Sequence, residues 1–387
     1  MDRDAELRMV EDALDEIADT YDHRYWYERA ENNEFYDELW NTLGEEGFLG
    51  AAVPEEYGGA GMGLPAIATV IRTLASHGVP SLELIVHSTM APTIISRHAS
   101  ELLKERYLPG IASGDKQFCF GITEPDAGTN TYQLQTTATR DGDDYVLNGQ
   151  KIFVSAAGVS DYIQVVTRST PYAEVADEDP KAGFSLFVVD LDTDGVELEP
   201  LDLDVPEPTK QYSVFFEDAA VPAENRIGAE DEGFYYLFDT LNPERVTSGA
   251  LAVGLGQFAI DRAAEYANER SVFDTPIGAH QGVQHPLAKA KIDVELANFA
   301  VERAATAYEA DDNTVGAYAN MAKYAASEAA DRAVDAAIQT HGGYGVSPDY
   351  GVINVERFVR VLRIAPVNNE MILNHVAENV LGLPKSY

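Results

Sequence analysis

Cysteine is nearly absent from this chain: Cys119 stands alone among 387 residues. That excludes an internal disulfide framework and a cysteine-cluster metal site, and its place in the apolar run before Thr123 reads as packing. No apolar stretch approaches the roughly 20 residues needed to span a bilayer. The opening MDRDAELRMVEDALDE has neither a basic n-region nor an apolar h-region, so no secretory signal is read and a cytoplasmic location is expected. Basic residues are scarce, with 27 Lys and Arg against 65 Asp and Glu and a formal net charge of −38. Such a field repels nucleic acid and anionic membranes as partners. The acids are spread along the chain, which favours a surface adapted to a salt-rich cytoplasm over one acidic functional face. His23, His77, His87 and His98 have no partner spacing for a metal site, and none is expected.

What is present is a chain of 45% hydrophobic content, enough for two or three cores. Residues 1–118 read as helical: Leu7, Val10, Leu14 and Ile17, then Phe35, Leu39 and Leu43, recur at helical spacing. Further helices are predicted over 65–76, 81–97 and 101–107. From 119 to 230 the period switches to two, with strands predicted at 137–139, 144–147, 162–166, 184–189 and 212–216. Asp141-Gly142 and Asn148-Gly149 mark tight turns, and 169–181 reads as an exposed, mobile acidic loop. Short strands so closely spaced predict a β-barrel or sandwich. After 231 the chain is helical and Ala-rich. Segments 243–270, 283–311, 314–341 and 349–382 (the last broken by Pro366) predict an antiparallel four-helix bundle. A small-residue stripe runs through Ala317, Met321, Ala325, Ala329 and Ala333. The fold class is thus α+β, with an N-terminal helical domain over 1–118, a middle β domain over 119–230 and a helical bundle over 231–387.

Two segments carry the strongest local signals. Thr123-Glu124-Pro125-Asp126-Ala127-Gly128-Thr129-Asn130 must turn, because Pro125 fixes φ and Gly128 permits a left-handed backbone. Its exposed N–H groups and hydroxyls suit a planar, hydrogen-bonding cofactor edge or an anion. Asn148-Gly149-Gln150-Lys151-Ile152-Phe153-Val154-Ser155 alternates an aromatic with a hydroxyl. Gly254-Leu255-Gly256-Gln257-Phe258-Ala259 fits a dinucleotide fingerprint. Yet Asn242-Pro243-Glu244 ahead of it reads as an N-cap, a first-position proline and an early acid, placing those glycines inside a helix for close packing.

TEPDAGT and NGQKIFVS resemble the flavin-binding segments of the acyl-CoA dehydrogenase family, and PEEYGGAG resembles a structural loop of the same proteins. Further matches cover nearly the whole chain. Arg270-Ser271-Val272-Phe273-Asp274-Thr275-Pro276-Ile277, with His280-Gln281, resembles a segment that contacts FAD from a neighbouring subunit, although Asp274 stands where glycine is usual. Gln339-Thr340-His341-Gly342-Gly343-Tyr344-Gly345 resembles the pyrophosphate-side segment. The resemblance implies FAD as cofactor. Phe120, Ile122, Thr123, Gly128, Thr129, Phe153, Ser155 and Asn368 would hold its ring and ribityl chain. Arg270, Phe273, His280, Gln281, Gln339, Gly342 and Gly343 would hold the ADP half across a subunit interface.

The catalytic base of most members lies near the C-terminus, where this chain has Pro366; Glu370, one turn on, is out of register. Branched-chain and long-chain members instead carry the base in an ER pair, which Glu244-Arg245 matches. Glu244 is therefore the expected α-proton base, with Asn242, Arg245 and Thr129 on the acyl-CoA substrate. The implied activity is α,β-dehydrogenation of an acyl-CoA within fatty-acid β-oxidation, by a homotetramer that passes electrons to an electron-transferring flavoprotein. Other chemistry on the same flavin fold, desulfinase-like or oxidase-like, and a non-enzymatic flavoprotein regulator are the alternatives.

Overall fold

A computed structural model describes residues 3–175, 177 and 179–385. The N-terminal part contains α1 (Arg3–Ala18), α2 (His23–Asn32), α3 (Asp37–Glu45), α4 (Leu64–Ser76), α5 (Leu82–Ile85), α6 (Ala91–His98) and α7 (Glu101–Ser113). A π-helical turn, Val86–Met90, joins α5 to α6, so the helix predicted over 81–97 is continuous.

The middle part holds β1 (Phe118–Gly121), β2 (Thr137–Asp141), β3 (Asp144–Ser155), β4 (Tyr162–Arg168), the helical turn α8 (Tyr172–Val175), β5 (Phe184–Asp190), β6 (Val196–Pro200), β7 (Gln211–Pro222) and β8 (Arg226–Ile227). They form one mixed sheet, β6-β7-β3-β2-β4-β5-β8, with β1 also on β4. α8 lies in the predicted acidic loop, and residues 176 and 178 of that loop fall outside the described ones. The Asp141-Gly142 turn is a tight hairpin, with Asp141 opposite Asp144.

Asn148-Gly149 is not a turn. It lies inside β3, where the ladder to β7 shifts register between Leu147 and Gly149. The Asn148 side chain exchanges two hydrogen bonds with Asp218, at 3.0 and 2.9 Å. Gly149 has φ +144°, and a Cβ there would sit 2.6 Å from Thr136 Cα, so the glycine serves a close backbone approach.

The C-terminal part holds α9 (Gly233–Glu269), the two-residue strands β9 (Ser271–Val272) and β10 (Thr275–Pro276), α10 (Gln281–Glu309), α11 (Val315–His341), α12 (Val352–Ile364) and α13 (Asn369–His375). Helix α9 begins at Gly233, so Asn242 is no N-cap and Pro243 sits inside the helix. A proline there leaves the Asp239 carbonyl without its i+4 donor. The Tyr308 hydroxyl on α10 donates to that carbonyl at 3.2 Å, which is how the helix runs on.

Gly254 and Gly256 do lie within α9. A Cβ on Gly254 would meet the Arg72 carbonyl at 2.3 Å, and one on Gly256 would meet Val294 at 2.8 Å. The buried alanines of α11 are Ala319, Ala322, Ala326, Ala329, Ala330, Ala333 and Ala337; of the expected stripe Ala329 and Ala333 are buried, while Ala317 and Ala325 are only partly buried and Met321 faces outward. One apolar core joins α1–α4 to α9–α12. A second joins α6 and α7 to one face of the sheet, and a third lies on the other face.

Candidate functional site

Strands β1 and β2 pair with the same strand, β4, one after the other: Phe118–Gly121 face 162–165, and Thr137 faces Arg168. The chain between them, residues 122–136, is therefore carried off the sheet as a loop. A buried ion pair holds it there. Glu124 Oε1 accepts from Lys151 Nζ at 2.7 Å and from the Thr136 N–H at 2.9 Å, and Oε2 accepts from the Gln135 N–H. Lys151 also donates to the Ile122 carbonyl. Burial works against the Glu124 charge, but the Lys151 ammonium and these donors win and keep its carboxyl below the usual range. Glu124 and Lys151 sit inside both recognised motifs, yet nothing in the sequence pairs them.

The Ile152 N–H donates to the Thr123 carbonyl, which brings the loop against β3. Just beyond, Lys151 faces Val214 while Val154 faces Tyr212, so β3 carries one extra residue. That bulge sets Phe153 at φ +58° with its ring 55% exposed. The Ser155 hydroxyl donates to Gln211 Oε1. Gly128 borders open space, with nothing within 4 Å of a Cβ placed there. Phe120, Ile122 and Thr123 are partly buried, and Thr129 is exposed.

Glu244 is partly buried on α9, and burial pushes its carboxyl up to about 7 against the opposing charges of Arg245 and Lys323. Arg245 Nη1 donates to Asn242 Oδ1 at 3.1 Å, while its Nε is buried with no partner in the chain. Lys323, buried on α11, donates to the Val367 carbonyl at 2.7 Å. The next residue, Asn368, donates from Nδ2 to Thr129 Oγ1 at 3.3 Å. Glu244, Arg245, Asn368 and the 122–136 loop thus converge on one place, where the sheet domain meets the helical bundle. Lys323 was not singled out from sequence, because a lone lysine in an Ala-rich helix reads as solvated.

The second group of expected residues lies elsewhere. Arg270 follows α9 at its far end, and Tyr266, one turn earlier, stacks on His341 at 4.5 Å. That gathers 270–281 and 339–343 at one end of the bundle. At 1.5 Å per residue, the helix separates Glu244 from that end by roughly 38 Å. Arg270, Phe273, His280, Gln281, Gln339, Gly342 and Gly343 are all exposed, Phe273 at 92%. Phe273 and Asp274 form the two-residue turn between β9 and β10, both at positive φ (52° and 58°). Such a turn suits glycine or aspartate, which accounts for Asp274. Within one chain the two groups stay apart.

The histidines have separate structural partners: His87 bonds the Ile111 carbonyl, His98 bonds Asp239, His77 bonds Asp15, and His23 packs on Phe258.

Comparisons with known proteins give the same picture along the chain. Three family profiles match: acyl-CoA dehydrogenase N-terminal domain over 4–115, middle domain over 119–219 and C-terminal domain over 231–381. Acyl-CoA dehydrogenase FadE12 of Mycobacterium tuberculosis is 44% identical over 371 residues, 95% of this chain and 94% of that one. Butyryl-CoA dehydrogenase from Megasphaera elsdenii superposes with a TM-score of 0.90 at 28% identity, covering 98% of both chains. The FAD complex of PigA superposes with a TM-score of 0.87 at 27% identity, over 98% of this chain and 96% of that one.

Proposed function

Because this chain belongs to the acyl-CoA dehydrogenase family and is an oxidoreductase that carries FAD, we propose that it removes the α-proton and the β-hydride of an acyl-CoA thioester to give the trans-2-enoyl-CoA. FAD, when bound, supplies the hydride acceptor. The observation that carries the reading is Glu244. It is a partly buried carboxylate with its pKa pushed up to about 7, close to the working pH at which a general base is most effective.

Glu244 takes the α-proton, and Arg245, with its unpartnered Nε, and Asn242 meet the CoA portion. The residues present fit the cofactor. Phe153 offers an open aromatic face, Gly128 leaves room beside it, and the Asn368–Thr129 bond closes the seat between the two domains. Phe120, Ile122, Thr123 and Ser155 complete the ring side.

The ADP half falls to Arg270, Phe273, His280, Gln281, Gln339, Gly342 and Gly343 of a neighbouring copy, since in one chain these lie a helix length away. A homotetramer is the assembly proposed. Its support is an unpartnered apolar face on α10, where Ile292, Leu296 and Phe299 are 59%, 61% and 60% exposed at helical spacing. An electron-transferring flavoprotein is the proposed acceptor. No helix among the described residues is long and apolar enough to cross a membrane.

The test is anaerobic mixing of the FAD-loaded protein with short, branched and long acyl-CoAs. Loss of the flavin's visible absorbance with at least one of them is expected. No bleaching by any acyl-CoA, or rapid peroxide formation under air, would point to other chemistry on the same flavin.

A further inference from the structure

Lys323 is 1% exposed, yet the acceptors of its ammonium are both neutral. Nζ donates to the Val367 carbonyl at 2.7 Å and to Asn369 Oδ1 at 2.8 Å. Burying a charge without a bonded counter-ion is costly and needs a reason. Both acceptors belong to the segment 365–369, which crosses from α12 to α13 and includes Pro366.

Asn369, itself 4% exposed, donates onward to Ser327 Oγ at 3.1 Å and Glu328 Oε1 at 2.9 Å, so the segment is fastened to α11 on two sides. The residue between the two anchored ones is Asn368. Its Oδ1 caps α13 through the Met371 N–H at 2.8 Å, and its Nδ2 reaches Thr129 on the sheet domain. Wherever Lys323 holds this segment, Asn368 meets the 122–136 loop.

We propose that Lys323 is a positioning residue: it anchors segment 365–369 so that Asn368 meets Thr129 at the cofactor seat. This rests on Asn368 and Thr129 lying at the flavin, as proposed above. It assigns a task to a segment that holds proline where other family members carry their own base.

Substitution tests the anchor. Lys323→Gln keeps N–H donors but no charge, Lys323→Met removes both, and Asn369→Leu cuts the anchor while leaving the charge. FAD affinity, read by flavin fluorescence, is expected to weaken about tenfold in Lys323→Met and Asn369→Leu and to change little in Lys323→Gln.

Unchanged FAD affinity in Asn369→Leu, or an affinity as weak in Lys323→Gln as in Lys323→Met, overturns the anchoring role. No FAD uptake by the native protein would instead remove the seat on which the inference stands.

Discussion

At the scale of single residues, burial decides which carboxylates are charged. Glu244 and Glu124 both lose hydration, but with opposite results. Glu124 is bonded to Lys151 and two backbone N–H groups and stays ionised. Among the described residues no donor bonds the Glu244 carboxylate, and burial pushes it up to about 7. A group with a raised acid pKa is protonated below that value, so the base form is lost as pH falls. The kcat/KM profile should therefore drop about tenfold per unit below pH 7 and flatten above it; a limb near the ordinary carboxylate value would contradict this. Lys151→Met leaves Glu124 buried without its counter-ion. It should cost about 3–5 kcal/mol in denaturant unfolding and release FAD, because loop 122–136 loses its tether. The motifs that contain these residues were legible in the sequence. Their pairing was not, since 27 residues separate the partners.

At the scale of elements, misreadings came from donors and acceptors far along the chain. Asn242-Pro243-Glu244 has the local chemistry of a helix start. Only Tyr308, on another helix, makes a continuous α9 tolerable by bonding the carbonyl that Pro243 orphans. In α11 alanines lie on every side, so period alone cannot choose the buried face. Asn148-Gly149 was read as a hairpin because that pair favours positive φ; the glycine is required, but for the approach of Thr136. Gly149→Ala should lower stability by about 1–3 kcal/mol in thermal melts, since its Cβ would press on backbone. A melt unchanged within error would mean the strand can shift there. By contrast, α10 was plain, because its buried residues Leu287, Ala290, Val294, Ala297, Val301, Ala304 and Ala305 recur at helical spacing.

At the scale of the whole molecule, the proposed second copy would answer two observations: the exposed apolar stripe of α10 and the distance within one chain between the two groups of residues expected at the cofactor. Phe299→Asp places a charge in that stripe. It should reduce the mass in solution towards a single chain and weaken FAD binding in parallel, measured by light scattering and flavin fluorescence. A monomer that binds FAD as tightly as before would separate the two. The uncovered stripe was not legible in periodicity or composition, because an apolar stripe looks like any other until the fold leaves it exposed. The charge of −38 was legible, and it constrains partners rather than fold.

The account stands most directly on the carboxylate at residue 244. Glu244→Gln, loaded with FAD and mixed anaerobically with the acyl-CoA that bleaches the native protein, tests it in a single turnover. Normal FAD content and a flavin-reduction rate lowered by about 10²-fold or more, the usual contribution of a general base, are expected. Reduction at the native rate would contradict it.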